Sequence, residues 1–274
     1  MHRFFVSTEL IADRQVVLSG PVAHQVCRVL RMRPSERVVL LDDSGWEFET
    51  ELEEVKPDRV KGRVLDKQLA RGEPRTKISL YQGVLKAARF EFVLQKATEL
   101  GVVEFVPLIA TRTVVARMDA VQKKRGRWER IIREAAEQSE RGRLPRLREP
   151  MLFSNACAHA QQRDGLSLLP WEKARFEDGL GLKDVLREAA SLPISLSIGP
   201  EEGLTTKESK MAQYYGVRLV NLFIGPEGGF TQKEAEMARR HDIHSVTLGN
   251  RVLRAETAAI AAVAVILHEM GDLG

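Results

Sequence analysis

Two short segments near the carboxyl end hold residue types suited to gripping a polar ligand. Ile224-Gly225-Pro226-Glu227-Gly228-Gly229 closes an apolar run, and Thr231 with Glu234 three residues later has the form of a capping box opening a helix. A glycine-rich turn between a strand and a helix exposes backbone amides and lets a ligand approach the main chain. A tight turn with no ligand would use the same residues. The segment lacks both the Gly-Lys-Ser/Thr ending of a nucleotide-hydrolase phosphate loop and a Gly-x-Gly-x-x-Gly fingerprint, so ATP and NAD are poor matches.

The second segment is Leu248-Gly249-Asn250-Arg251-Val252-Leu253-Arg254-Ala255-Glu256-Thr257-Ala258. A strand ends at a glycine, a loop carries two arginines, and a helix opens at Glu256-Thr257 with an almost wholly apolar face to Leu267. Arginines beside a helix start meet the positive end of the backbone dipole, a conflict that an anionic partner would offset. A pair of solvated arginines is the alternative. The apolar helix reads as core or as a subunit interface.

Ile198 to Glu208 nearly repeats Ile224 to Glu234, with Glu202 in the place of Gly228. A side chain and a charge there would obstruct backbone approach to a ligand, which makes the second copy the candidate site and the first a structural βα unit.

Alternating strands and helices must position these loops. Ile78 to Leu85, Val102 to Ile109, Leu166 to Leu169, Ile194 to Ile198, Val217 to Ile224 and Val246 to Leu248 read as strands. Between and after them, Phe90 to Leu100 (closed by Gly101), a basic stretch Arg127 to Arg141, Leu182 to Ala190, Thr205 to Tyr215, Thr231 to His241 and Glu256 to Met270 read as helices. Such alternation predicts a mainly parallel sheet covered by helices, with ligands at the carboxyl ends of its strands.

The amino-terminal part differs. Val38 to Leu41, Phe48 to Leu52 and Arg59 to Val64 are short strands joined by turn signals, interrupted by a helix carrying Val22, Val26, Val29 and Leu30, and together they suggest a small barrel. The polar run Gln68 to Arg75 reads as a linker. These textures set the expected domains at 1–72 and 73–274.

The 274 residues are long enough for one or two packed cores, and 43% hydrophobic with 29% charged residues excludes a disordered chain. Two cysteines, Cys27 and Cys157, cannot make a disulfide framework and point to a reducing, cytoplasmic setting; with no signal-peptide or membrane-span pattern, no membrane is expected. The six histidines have no metal-ligand spacing, so no metal is expected. A net charge of +4 is compatible with a polyanionic partner without requiring one.

In combination these segments resemble one family closely. The IGPEGGF-T-x-x-E and LGNRVLRAETA segments are similar to the SPOUT class of RNA methyltransferases, specifically the bacterial family that methylates N3 of a uridine in small-subunit ribosomal RNA. His2 to Phe5 with His24 and Val29-Leu30-Arg31 resemble its PUA-like amino-terminal barrel; Lys86, Gln95 to Val102, Pro107 and Arg112 resemble the opening of its catalytic domain. Arg127-Trp128, Glu134 to Ser139 and Arg141 resemble its basic helix. Departures are Asn250 and Glu140, where the family often has proline and glycine, and the extra GPEEG copy, which puts the geometry before Ile224 in question.

The resemblance implies an α/β chain: a PUA-like β-barrel followed by a SPOUT parallel-sheet domain with a deep trefoil knot, working as a homodimer on ribosomal RNA, in an assembled particle. It implies S-adenosyl-L-methionine held by Ile224, Gly225, Pro226, Glu227, Gly228 and Gly229 together with Leu248, Gly249, Asn250, Arg251, Val252, Leu253 and Thr257. Arg254 and Glu256 would be catalytic. Arg254 is placed to stabilise negative charge developing on the uracil oxygens, while for Glu256 the role of base competes with capping the helix or orienting an arginine. Arg3, Arg31, Lys86, Arg89, Lys96, Arg112 and Arg141 are the candidate RNA contacts. A ribose 2'-oxygen methyltransferase and an RNA-binding relative without activity are the alternatives.

Overall fold

The computed structural model describes residues 1–86, 88–114, 118–163, 165–174, 180–191 and 218–274. Two compact units emerge, Met1–Glu73 with Arg133–Leu144, and Pro74–Ile132 with Pro145–Gly274.

The first unit is a six-stranded mixed sheet. Strand β1 (His2–Phe5) runs parallel to β4 (Arg37–Leu41), which continues antiparallel through β5 (Trp46–Val55), β6 (Arg59–Leu69), β3 (Gln15–Ser19) and β2 (Ile11–Ala12). In β3 only Val16 and Leu18 face inward, the period-two pattern of a strand with one wet face. With Phe4, Leu40, Leu52 and Val60 they form this unit's core. The expected linker is shorter at its start, because β6 runs on to Leu69.

The expected helix over Val22 to Leu30 is real but composite. Helix α1 (Gly20–His24), with Pro21 in its first turn, passes into a π-helical turn over Gln25–Val29. Leu30 N–H then reaches back five residues to Gln25 C=O at 2.9 Å. The wider turn keeps Val26 buried while Arg28, Val29 and Arg31 face outward.

Two arginines are internal braces here. Arg141, 1% exposed, forks onto Glu73 with Nε to Oε1 at 3.2 Å and Nη2 to Oε2 at 2.9 Å. Arg3 pairs with Glu47, whose other oxygen accepts from Gln68 at 2.7 Å.

The second unit is built on a wholly parallel sheet. Its strands are β7 (Thr76–Gly83), β8 (Glu104–Ile109), β9 (Arg146–Leu147), β10 (Met151–Leu152), β11 (Leu166–Pro170), β12 (Arg218–Ile224) and β13 (His244–Val246). The order is β10-β8-β7-β12-β11-β13, with β9 sharing the outer edge of β8. The helices are α2 (Ala88–Leu100), α3 (Met118–Gln122), α4 (Arg125–Gln138), α5 (Phe153–Gln161), α6 (Leu182–Ser191), α7 (Gln232–Arg240) and α8 (Ala255–Glu269).

Because helices cover both faces, the central strands are near-continuous apolar runs. Leu80, Leu222 and Ile224 pack with Phe90, Val93, Ala259, Val263 and Ile266 of α2 and α8. On the other face, Tyr81 stacks on Phe223 with centroids 4.3 Å apart, among Phe153 and Cys157 of α5 and Ala235 of α7. Burial, and then the charge of Glu234, push the Cys157 thiol up to about 12, consistent with a packing residue.

One buried carboxylate anchors the β8 side. Glu104 accepts from Ser79 Oγ at 3.2 Å and Arg148 Nε at 2.6 Å, and pairs with Arg163. Burial works to raise its pKa, but the two guanidiniums outweigh that and hold the carboxyl below the usual range.

Most boundaries move by a few residues, and some shifts matter more. The strand expected at Val246 to Leu248 lies at His244–Val246, the basic helix spans Arg125–Gln138, and its residues from Arg133 cluster with the first unit. The strand Ile194 to Ile198, the helix Thr205 to Tyr215 and the first copy of the repeat lie outside the described residues.

Candidate active site

The strand order dictates where the two segments meet. Strands β12, β11 and β13 are neighbours and parallel, so the chain leaving each emerges at the same sheet end. A cleft of about 380 Å³ opens there, lined by Ile224 to Phe230 after β12, Pro170 to Glu172 after β11, and Thr247 to Gly249 with Arg251 to Glu256 after β13. Arg89 at the start of α2 and Ala258 complete it. That volume falls within the range of about 300–1,000 Å³ usual for small-molecule sites.

The glycine loop is built by close approach. A Cβ on Gly83, the last residue of β7, would come within 2.4 Å of Pro226 N, so only glycine lets β7 and the loop touch. Gly229 takes φ +65° and donates its N–H to Pro226 C=O at 2.9 Å. Arg112 holds the loop from outside, with Nη1 donating to Gly228 C=O at 2.8 Å. A Cβ at Gly228 would sit 2.9 Å from Arg112 Cβ. The obstacle to a side chain at that position is therefore Arg112 itself, in addition to any ligand.

The capping box is present as expected. Thr231 Oγ1 accepts from Glu234 N–H at 3.2 Å, and Glu234 Oε2 accepts from Thr231 N–H at 2.8 Å. Glu234 Oε1 also takes Thr111 N–H at 2.8 Å, tying α7 to the chain after β8. Burial opposes the charge on Glu234, but the bonds from Thr111 and Thr231 prevail and its pKa is lowered.

On the other loop, Gly249 has φ +101° and donates to Thr247 Oγ1 at 3.1 Å. Arg254 is the N-cap of α8, extended at φ −63° and ψ 152°, and its side chain does not cap the helix. Arg251 and Arg254 are both exposed at the cleft, and among the described residues neither side chain has an ion-pair partner. Two unpaired cations beside a helix start suit an anionic ligand.

Of the residues singled out from sequence, Ile224 to Gly229, Leu248, Gly249, Arg251 to Leu253, Arg254 and Glu256 are brought together; Asn250 and Thr257 are exposed and do not line the cleft. The basic candidates separate. Arg3 and Arg141 are the braces described above. Lys96 pairs with Glu99 at 2.8 Å on its own helix, Arg112 is tied to Gly228, Arg89 lines the cleft, Lys86 N–H donates to Glu227 at 2.9 Å, and Arg31 is exposed at φ +55°. The third wall, Pro170-Trp171-Glu172, carries no local signal in the sequence. Trp171 is buried and its Nε1 donates to Phe230 C=O at 3.3 Å, locking this wall to the glycine loop.

The family model described as "RNA methyltransferase domain" matches residues 72–223 and 218–267, and that described as "RNA methyltransferase PUA domain" matches residues 18–65. The chain belongs to the RNA methyltransferase family. Its PUA segment falls within the mixed sheet of the first unit, and its methyltransferase segment carries the cleft. Within this family, the Ribosomal RNA small subunit methyltransferase E of Bacillus subtilis is 30% identical over 92% of this chain and 89% of its own length. A solved Ribosomal RNA small subunit methyltransferase E from Neisseria gonorrhoeae, bound to S-adenosyl methionine, superposes with TM-score 0.77 at 25% identity, covering 98% of this chain and 97% of that one. A Legionella pneumophila protein, solved with the bound cofactor SAM, gives TM-score 0.77 at 30% identity, covering 97% and 96%. The fold is thus that of SPOUT-type methyltransferases, with a PUA-like sheet ahead of a parallel α/β sheet.

Proposed function

We propose that this chain is an S-adenosylmethionine-dependent methyltransferase acting on N3 of a uridine in small-subunit ribosomal RNA. The observation that carries the reading is the convergence of the glycine loop and the Leu248–Glu256 loop on one cleft at the carboxyl ends of parallel strands. The residues present fit the cofactor. Gly225, Gly228 and Gly229 line the cleft with main chain alone, and Glu227 and Glu256 each have one shielded oxygen with no donor among the described residues.

When bound, S-adenosylmethionine supplies a methyl group on a positively charged sulfur. The chain's residues do the rest. Gly225 to Gly229, with Leu248, Gly249 and Arg251 to Leu253, would hold the cofactor, and the walls would exclude water. Arg254 stabilises the charge that develops on the uracil oxygens as N3 loses its proton, in the manner of an oxyanion site. Glu256, in the first turn of α8, accepts that proton or orients an arginine.

On this reading residues 1–72 form the RNA-binding PUA-like domain and residues 73–274 the catalytic domain, whose loops carry the trefoil knot. Exposed Arg31 and Lys86 are the first basic candidates for RNA, since Arg3 and Arg141 are internal braces, Lys96 pairs with Glu99, Arg112 holds Gly228 and Arg89 lines the cleft. The half-buried Ile260, Ala261 and Ala264 with exposed Val265 give α8 an apolar outer side that supports a homodimer. No described helix is long and apolar enough to cross a membrane. The reading makes this a cytoplasmic enzyme working on an assembled ribosomal particle.

The test is S-adenosylmethionine calorimetry followed by mapping of the methylated atom in small-subunit RNA. Binding with a base-N3 methyl supports the proposal. A methyl on ribose would make the chain a 2'-oxygen enzyme, and no binding would leave an RNA-binding relative.

A further inference from the structure

Two carboxylates from different loops of the cleft share one cation. Glu227 Oε1 lies 3.9 Å from Arg89 Nη1, and Glu256 Oε1 lies 4.0 Å from Arg89 Nε. Each glutamate keeps its second oxygen shielded from water and without a donor among the described residues. A shielded carboxylate oxygen that nothing meets is costly, and two carboxylates in one small space repel each other.

Arg89 is the cation that offsets the repulsion, while the two second oxygens stay unmet. It stands in the first turn of α2, where a positive side chain gains nothing from the helix dipole, so its placement there answers to something other than helix stability. Its fork is within Coulombic reach of both carboxylates yet hydrogen-bonded to neither. Glu227 is also fixed from behind, by Lys86 N–H at 2.9 Å.

We propose that Arg89 is a positioning residue of the cleft and not a phosphate contact, an inference that rests on the methyltransferase reading above. Its guanidinium ties the glycine loop, through Glu227, to the first turn of α8, through Glu256. The two remaining carboxylate oxygens are thereby held for the hydroxyl or N–H donors of a nucleoside ligand. The cofactor and the target uridine both have such donors.

The experiment compares wild type with Arg89→Ala and Arg89→Lys in the full-length chain by three readouts. These are S-adenosylmethionine affinity by calorimetry, the split of kcat against KM for RNA, and the salt dependence of RNA binding. Arg89→Ala should weaken cofactor binding by about three- to tenfold and lower kcat, with KM for RNA and the salt slope unchanged. Arg89→Lys should recover part of the loss. Arg89→Ala combined with Glu227→Gln should weaken cofactor binding less than the two single effects multiplied, because the second change removes a charge the first left unpaired.

Unchanged cofactor affinity with a salt slope reduced by about one would overturn the proposal and make Arg89 a phosphate contact. So would an equal loss in every readout with a lower Tm that lysine does not restore, since Arg89 would then serve the fold. If wild type binds no S-adenosylmethionine, the methyltransferase reading fails first and takes this inference with it.

Discussion

Gly83 and Pro226 meet main chain to main chain: a Cβ on Gly83 would stand 2.4 Å from Pro226 N and 2.6 Å from Gly225 C. The last residue of β7 thus sets how far the glycine loop can sink toward the sheet. Gly83→Ala should push the loop into the cleft, cost about 1–3 kcal/mol as overpacking does, and weaken cofactor binding at least tenfold. Calorimetry and a denaturant titration read the two effects separately.

Arg112 props the same loop from the other side through Gly228 C=O. Arg112→Ala should leave the fold intact, because the side chain is exposed, and weaken cofactor binding by about 1 kcal/mol, the typical net contribution of a hydrogen bond. Gly228→Glu should abolish cofactor binding; if Arg112→Ala partly restores binding to Gly228→Glu, the collision with Arg112 is the cause.

The Arg254 side chain has no partner among the described residues, so truncating it leaves no protein group unpaired. Arg254→Ala should keep cofactor affinity within about threefold while lowering kcat by about 10²–10³, the usual effect of deleting one charge-stabilising donor. Single-turnover kinetics with saturating cofactor is the measurement. Equal loss of binding and rate would instead make Arg254 a wall of the pocket.

Much of this site was legible in the sequence because its signals are local. Glycines at 225, 228 and 229, the Thr231–Glu234 capping box and the arginines before α8 each announce themselves within a few residues. The wall at Trp171-Glu172 carries no such signal; it belongs to the cleft only because β11 lies between β12 and β13. The basic residues were the least legible. Arg3 meets Glu47 and Arg141 meets Glu73, partners far along the chain, so charge alone could not distinguish a brace from an RNA contact. The π-helical turn at Gln25–Val29 was hidden for a related reason, since the burial of Val26 in the sheet core sets its register.

Acid should loosen α7 through Glu234. Its pKa is lower folded than free, so its contribution is present above the ordinary carboxyl range and is lost as pH falls through the folded value. Glu234→Gln should lower Tm at neutral pH, at a cost of about 1–3 kcal/mol, and flatten the acid side of the Tm-against-pH curve. Thermal scans from neutral to acid pH on both proteins check the sign.

Glu104 gives a contrasting stability test away from the cleft. Glu104→Gln leaves Arg148 and Arg163 facing a neutral group in a buried place, where breaking an ion pair costs about 3–5 kcal/mol. Urea titration should show that loss, while cofactor affinity of the folded fraction stays at the wild-type value.

Strand β12 lies between β7 and β11 in the sheet, and its Arg218 to Ile224 pair with Thr76 to Gln82 far earlier in the chain. During synthesis, β7 and β11 both emerge before the strand that joins them. Each must wait with an apolar, unpaired edge, the condition that invites wrong partners. Pairing of such high sequence separation is also slow to form. The glycine loop directly follows β12, so the cleft is not complete until the sheet's centre closes, and ligand binding reports on that long-range pairing as well as on the site itself.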